Sequence, residues 1–141
     1  FEKLHVGRGA AFGDIDNDGD LDILVSNNNG PVRLLLNEGG VKNHWLQVLL
    51  QGVIDNRQGI GARVAVLRKS QTPLWRRAHT DGSYLSAHDS RVHFGFGPDA
   101  NLQGVVVHWP GGTLEVFEGI KPDTIVTLKQ RAGRPYEGKV N

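Results

Sequence analysis

Apolar and polar residues alternate in short runs along most of this chain, and the alternation predicts β-strands. In RVHFGFG, Val92, Phe94 and Phe96 fall on one side of an extended chain, whereas Arg91 and His93 fall on the other. No segment shows the longer period of an amphipathic helix. We therefore predict an all-β fold in which the apolar side of each strand faces a core.

The predicted strands form two groups. Up to residue 41 the order is strand, acidic loop, strand, hairpin turn at NNNGP and strand. From residue 43 seven runs follow, in HWLQVLL, ARVAVLR, LWRRAHT, RVHFGFG, GVVVHW, LEVFE and TIVTLK. Seven short strands separated by turns indicate a β-sandwich or a barrel. The predicted domains are a β-meander over 1–41, a β-domain over 42–130 and a polar tail over 131–141.

The run VVVHW identifies further core candidates. Val105, Val107 and Trp109 share one side of the strand, and Val106 and His108 share the other. We expect the first three side chains to be buried. Trp109 is therefore interpreted as a core residue and not as a ligand contact.

The acidic loop DIDNDGDLD places five carboxylates in nine residues and contains no Lys or Arg. Two like charges at about 4 Å repel by about 4 kcal/mol at the effective dielectric of a protein surface, so a cation would stabilise the loop. Ca²⁺ suits it best, because this ion takes six to eight oxygen ligands in a flexible shell. Gly19 permits the bend, and Asp20 contributes a backbone carbonyl. The predicted calcium residues are Asp14, Asp16, Asp18, Asp20 and Asp22.

The acidic loop has two other interpretations. A helical calcium hand needs a bidentate Glu at its twelfth position, but counting from Asp14 that position is Val25, and the flanking residues predict strands. The other interpretation is an acidic, solvated turn that binds no ion, and it stays open at the level of sequence.

Composition limits the class of protein. The chain has 141 residues, begins at Phe1, and contains no cysteine and no methionine. Its length predicts about one domain with a substantial core. Without cysteine there are no disulfide bonds and no zinc-thiolate sites. We find neither a secretory signal nor an apolar run that could enter a membrane, and we interpret the chain as processed or as an excerpt of a longer protein.

Net charge is +1, but outside the acidic loop 16 basic residues stand against 10 acidic ones. A hairpin at SQTP is expected to bring together Arg68, Lys69, Arg76 and Arg77. The surplus is modest and no nucleic-acid-binding module accompanies it, so we predict no nucleic-acid partner. The cluster is interpreted as a solvated hairpin tip or as a contact for an acidic glycan.

Two family resemblances follow from these motifs. The segment GRGAAFGDIDNDGDLDILVSNNNGPVRLLLNEGG resembles the FG-GAP or VCBS repeat, the blade of integrin-type β-propellers, whose hallmark is the calcium loop DxDxDGxxD. The rest resembles the ASPIC and UnbV domain of the cartilage acidic protein-like family, in NHWLQVLLQG, NRQGIGARV, GSYLSAHDSRVHFGFG, VVVHWPGG and TIVTLK. Together the resemblances cover almost all of residues 7–130.

These resemblances imply a secreted or cell-surface protein without well-established catalytic activity, in which the five loop aspartates bind Ca²⁺. Such proteins carry several propeller repeats before the carboxyl-terminal domain, whereas this chain has one. A lone blade cannot bury both of its faces. We therefore expect the meander over 1–41 to pack onto the following β-domain and to share a single core with it.

An enzyme is the alternative from another class. The run TDGSYLSAHDSRVH contains groups that can serve as nucleophile, base and orienting acid: Asp81, Ser83, Ser86, His88, Asp89 and His93. No strand-to-helix nucleophile turn accompanies them, and we interpret the run as a polar turn. Gly59 and Gly61 in NRQGIGA lack a following helix, so we interpret them as a tight loop and not as a dinucleotide site.

A recognition module fits the sequence better. The candidate ligand-binding residues are Trp75, Arg77, Trp45 and Tyr84, with Trp75 first because Arg77 and His79 share its side of the strand. We predict an extracellular, calcium-stabilised, non-catalytic module that binds a polysaccharide or glycan. The alternatives are a protein-interaction or structural domain of a larger surface protein, with a protein surface as partner, and a polysaccharide-active enzyme.

Overall fold

The computed structural model describes residues 6–39, 43–69 and 71–138. Within these ranges the chain forms eleven β-strands joined by turns. No helix in the described ranges is long and apolar enough to cross a membrane. The predicted all-β class is confirmed.

The three strands of the predicted meander are β1 (Gly7–Gly13), β2 (Asp22–Asn27) and β3 (Gly30–Leu35), which form one antiparallel sheet in that order. The seven later runs are strands as well. They are β4 (Trp45–Gln51), β5 (Arg63–Arg68), β6 (Leu74–Arg77), β7 (Val92–Gly95), β8 (Leu102–His108), β9 (Leu114–Phe117) and β10 (Thr124–Lys129). A short additional strand, β11 (Arg134–Pro135), lies in the predicted polar tail and pairs with β9.

The chain divides into two compact units. Unit 1 comprises Phe1–Val41 with Thr80–Asp89, and unit 2 comprises Lys42–His79 with Ser90–Asn141. The sequence alone assigned Thr80–Asp89 to the second domain. In the structure this segment joins unit 1 because it bonds to β1: the Asp89 N–H donates to the Phe12 carbonyl at 2.9 Å.

Unit 2 is built from two sheets in a sandwich-like arrangement, with strand orders β10-β4-β7 and β11-β9-β8-β5-β6. Strand β10 runs parallel to β4, and the other pairings are antiparallel. The inner faces of both sheets supply the core. All six predicted core side chains are buried, namely Val92, Phe94, Phe96, Val105, Val107 and Trp109.

Every described apolar residue that is buried lies in unit 2. In unit 1 apolar side chains on the meander stay partly exposed, as Leu24 at 41%, Leu34 at 46% and Val32 at 61% show. The described core cluster consists of unit 2 residues, and the predicted core shared by the two units stays a prediction. The predicted packing of the meander against the following domain stays a prediction.

Candidate functional site

The acidic loop connects β1 to β2, and its backbone curls through two residues with positive φ. Asn17 has a φ of 62° and Gly19 a φ of 99°. The buried Asp14 carboxylate lies inside the curl and accepts hydrogen bonds from Asp18 N at 3.1 Å and Gly19 N at 3.0 Å. Glycine and asparagine adopt this left-handed conformation at little cost, which is why the sequence allows so tight a loop.

Three of the five aspartates converge. Asp14, Asp16 and Asp18 each offer a carboxylate oxygen, and these oxygens all lie within 4.8 Å of one another. Such an all-oxygen set is the kind that Ca²⁺ prefers. The donor chemistry at this loop therefore fits the predicted ion.

Asp22 plays a different part from these three. One oxygen of its buried carboxylate accepts from Ile15 N at 2.8 Å and the other from Asn37 N at 2.9 Å. Its side chain therefore ties the two ends of the loop to the chain after β3. Asp20 is outside the converging group; its N–H donates to Asp18 Oδ1 at 2.9 Å.

The pKa values of two of these carboxyl groups, Asp16 and Asp22, are shifted in opposite directions. Partial desolvation in the loop, and then the charge of Asp18, raise the pKa of Asp16 above its ordinary value. The hydrogen bonds from Ile15 and Asn37 lower the pKa of Asp22. The loop thus contains one carboxylate whose charge is disfavoured and one whose charge is well stabilised.

Two of the predicted ligand-binding residues lie on the same face. Strand β6 carries Trp75 and Arg77 on the outer side of its sheet, because their partners in β5 are Ala65 and Arg63 and not the core residues Val64 and Val66. The Arg63 guanidinium carbon lies 4.8 Å from the centre of the Trp75 ring. Sequence reasoning missed Arg63, although its position two residues before Ala65 places it on this face.

The other two predicted ligand-binding residues lie elsewhere. Trp45 is on the outer side of the other sheet of the sandwich, since it pairs with Gly95 while its neighbour Leu46 is in the core. Tyr84 belongs to unit 1, is 57% exposed, and has the Arg8 guanidinium 4.5 Å from its ring centre. Trp45 and Trp75 cannot form one stacking platform, because they occupy opposite outer faces of unit 2.

The predicted cluster of Arg68, Lys69, Arg76 and Arg77 does not form. Arg76 pairs with Val64 in β5, which is four residues from Arg68. At the rise of a β-strand this separation is roughly 14 Å. Arg77 instead lies opposite Arg63.

Two of the candidate catalytic groups of residues 81–93 bond to the backbone of β1. Ser83 Oγ accepts from Ala10 N at 3.1 Å, and His88 Nδ1 accepts from Phe12 N at 3.2 Å. His93 lies in β7 of unit 2. The Ser83 and His88 side chains therefore attach the segment to β1.

NRQGIGA forms the predicted tight loop. Gly59 and Gly61 have φ values of 63° and 93°, and Asn56 bonds to Ile60 with both its amide nitrogen and its amide oxygen. The loop packs on Trp109, whose ring carbon lies 3.3 Å from a Cβ built on Gly59.

Comparison with known proteins identifies the family. The family model described as ASPIC and UnbV matches residues 52–135, more than half of the chain. The chain belongs to the ASPIC and UnbV family. It is also similar to cartilage acidic protein 1 of Xenopus tropicalis, with 31% identity over 119 residues, and of Homo sapiens, with 31% identity over 114 residues.

These alignments cover 80% and 77% of this chain, but 18% and 16% of the relatives. The chain thus spans less than a fifth of the curated relatives that it matches. The whole-protein properties of those relatives do not transfer on this basis.

Proposed function

We propose that this chain is a calcium-stabilised, non-catalytic recognition module of a secreted or cell-surface protein, and that its ligand is a carbohydrate. The extracellular location is supported by the relatives, whose name refers to cartilage. The calcium role, expected of an FG-GAP or VCBS-type repeat, is supported by the carboxylates of Asp14, Asp16 and Asp18. They would hold the ion, and Ca²⁺ would supply positive charge that offsets their mutual repulsion.

The observation that carries the carbohydrate proposal is the outer face of β5 and β6. There the guanidinium of Arg63 lies over the ring of Trp75, and Arg77 lies on the same side of the sheet. An aromatic surface flanked by hydrogen-bond donors in a fixed fork suits a sugar, because the ring packs against C–H groups and the guanidinium binds oxygen atoms.

Native gels cast with neutral and acidic polysaccharides test this function. We expect one or more polysaccharides to retard the chain and Trp75→Ala to abolish the retardation. Trp45→Ala is the matched control, since it removes the same side chain from the other sheet, and it should migrate like the parent. Running each gel in calcium and in chelator reports whether the ion is required. No retardation of the folded chain by any polysaccharide would overturn the carbohydrate ligand.

A protein partner is the second candidate, and a specific observation favours it. Leu85 is 89% exposed at the turn between Ser83 and Ser86, with a φ of 47°, next to the exposed Tyr84. A leucine held in the left-handed region and presented to solvent is costly, and such strain concentrates at binding sites.

A further inference from the structure

A cavity of about 220 Å³ lies at the end of β4, and every residue that lines it belongs to unit 2. The three-stranded sheet supplies Leu49 of β4 and its neighbour Thr127 of β10. The loop between β4 and β5 supplies Arg57 and Gln58. We call it the β4-end cavity; its side chains used below are Leu49, Gln51, Arg57, Gln58, Ser90 and Thr127.

The polar side chains of this cavity are not engaged elsewhere in the protein. Five of the six are polar, and within residues 6–39, 43–69 and 71–138 none of those five side chains has a hydrogen-bond or ion-pair partner. A single exposed polar side chain is simply solvated. Five around one cavity present amide, hydroxyl and guanidinium groups to whatever molecule fills it.

The charge of the cavity is positive. Arg57 is exposed, and no carboxylate is among the described residues that line the cavity. A second cation, the exposed Lys129, lies opposite Gln51 on the neighbouring strand. The carboxylate closest to Arg57 in sequence is Asp55, which accepts from Gln130 Nε2 at 2.6 Å. An anionic group is therefore complementary to this cavity.

The loop that carries Arg57 has a fixed backbone. The buried Gln130 places one amide oxygen against three successive N–H groups, those of residues 53–55, at 2.9, 2.9 and 3.1 Å. The Gly52 N–H donates to the Arg57 carbonyl at 3.0 Å, so the loop also closes on itself. A ligand at this cavity does not have to order the loop, and preorganisation of this kind favours binding.

The cavity volume limits the size of the occupant. At roughly 30 Å³ for each water in the liquid, about 220 Å³ corresponds to about seven water molecules. This is below the roughly 300–1,000 Å³ of sites for drug-sized ligands, and it suits a molecule of about one sugar ring. Leu49 adds an apolar wall for the C–H groups of such a ring.

We propose that the β4-end cavity binds one sugar acid unit, with its carboxylate held by Arg57, its hydroxyls by the amide and hydroxyl side chains, and its ring carbons against Leu49. Arginine suits a carboxylate because its fork donates two parallel hydrogen bonds. The site is on the three-stranded sheet, whereas Trp75 is on the other sheet of unit 2. The proposal therefore goes beyond the carbohydrate function proposed above and does not depend on it.

Three small molecules separate the parts of this ligand: sodium glucuronate, glucose, which lacks the carboxylate, and sodium acetate, which lacks the ring. We would titrate each into the ¹⁵N-labelled chain at constant ionic strength and follow the amide signals by NMR. Glucuronate should bind at least about tenfold more tightly than either, since each lacks one class of contact. The shifted amides should be those of Gln51, residues 57–58 and Thr127.

The methyl glycoside of glucuronic acid distinguishes two sources of the ligand. Its methyl group stands where a polysaccharide would continue. An affinity equal to that of glucuronate would assign the site to the end unit of an acidic polysaccharide, and a markedly weaker affinity would assign it to a free sugar acid.

Variants test the assigned contacts. Arg57→Gln should weaken glucuronate binding by about tenfold, the loss expected for one charge-assisted contact. Arg57→Lys keeps the charge but not the fork, so its affinity should lie between those of the parent and Arg57→Gln. Thr127→Val removes a hydroxyl from a strand position that favours β-branched residues, and a loss of about fivefold is expected.

Arg76→Gln is the matched control, because it removes the same charge from the five-stranded sheet. It should leave the affinity unchanged, and circular dichroism confirms that each variant is folded. Equal losses in Arg57→Gln and Arg76→Gln would show a general charge effect and overturn the site. A loss in Trp75→Ala equal to that in Arg57→Gln would place the ligand on the other sheet and overturn it as well.

The ligand comparison can also overturn the proposal. Acetate binding as tightly as glucuronate would show a simple anion site, and glucose binding as tightly would show that Arg57 holds no carboxylate. Absence of glucuronate binding would overturn the site and leave retardation by polysaccharides through Trp75 untouched. Conversely, glucuronate binding without retardation by any polysaccharide would support this site and overturn the function proposed for the Trp75 face.

Discussion

Aspartates in the acidic loop have two different roles. Asp14 and Asp22 are buried and accept backbone N–H groups, so they shape the loop from inside. Partial desolvation and then the charge of the neighbouring Asp18 raise the pKa of Asp16. The loop therefore combines a frame stabilised by hydrogen bonds with an edge at which like charges repel.

These roles predict opposite effects of two similar substitutions when calcium is chelated. The raised pKa of Asp16 means that its charge disfavours the folded loop at neutral pH, and that this cost falls as pH falls through the raised pKa. Asp16→Asn should therefore raise the melting temperature in chelator at pH 7. Asp22→Asn should lower it, because an amide cannot accept from both Ile15 N and Asn37 N.

The pH profile checks the second half of this prediction. Because the folded pKa of Asp22 is lowered, its contribution is fully present above the ordinary value of 3.8 and is lost as pH falls through the lowered pKa. In chelator, the melting temperature of the parent should thus fall more steeply below pH 4 than the melting temperature of Asp22→Asn. Parallel profiles, or a destabilised Asp16→Asn, would contradict the two roles.

At the scale of single residues the sequence predicted the acidic loop but not the direction of each carboxylate. Alternation of Asp residues and the bend at Gly19 follow from local spacing alone. Whether Asp22 points at an ion or at the backbone depends on Asn37, which comes close only after β3 has formed. A local motif contains no information about that contact.

At the scale of elements, the loop between β4 and β5 shows why one glycine is required. A Cβ on Gly59 would lie 2.7 Å from Cβ of Leu50, and its φ is 63°. Gly97 has almost the same φ, 69°, but a Cβ there would meet no atom within 4 Å. A side chain at Gly97 would therefore meet backbone strain alone, whereas a side chain at Gly59 would meet both backbone strain and steric overlap.

Alanine at each position measures these two costs. Gly97→Ala should destabilise by about 1 kcal/mol, the cost of a left-handed alanine. Gly59→Ala should destabilise by about 2–4 kcal/mol, because overpacking against Leu50 adds to the same strain. Chemical denaturation followed by tryptophan fluorescence gives both values. Equal losses would mean that the loop moves away from Leu50 at no cost.

Elements were predicted well where their pattern is local. Alternation identified the seven strands of unit 2 because one side of each strand meets the core. The attachment of Thr80–Asp89 to β1 was missed, since Ser83 and His88 bond to backbone groups more than 70 residues away. The basic cluster was wrong because strand register, and not distance along the chain, decides which arginines meet.

At the scale of the whole molecule, the two units are stabilised differently. Unit 2 has a large apolar core that extends from Leu46 to Leu128. Among described residues, unit 1 buries the carboxylates of Asp14 and Asp22 but no apolar side chain. Burial of apolar area is the main favourable term in folding, so unit 1 depends more on its hydrogen bonds and, under the function proposed above, on Ca²⁺.

Calcium removal should therefore act on one unit and spare the other. An ion that binds only the folded state at a hundred times its dissociation constant adds about 2.7 kcal/mol, so chelation should speed amide exchange in unit 1 up to about a hundredfold. Hydrogen exchange measured by mass spectrometry should show this in β1–β3 and in Thr80–Asp89, which bonds to β1. Amides of β4 and β8 should exchange at the same rate with and without calcium, since their strands contribute to the unit 2 core.

Asp18→Asn in calcium should behave as the chelated parent does, because it removes one of the three converging carboxylates. Equal acceleration in both units would mean that the ion stabilises the chain as a whole, and no acceleration in unit 1 would mean that the loop folds without calcium.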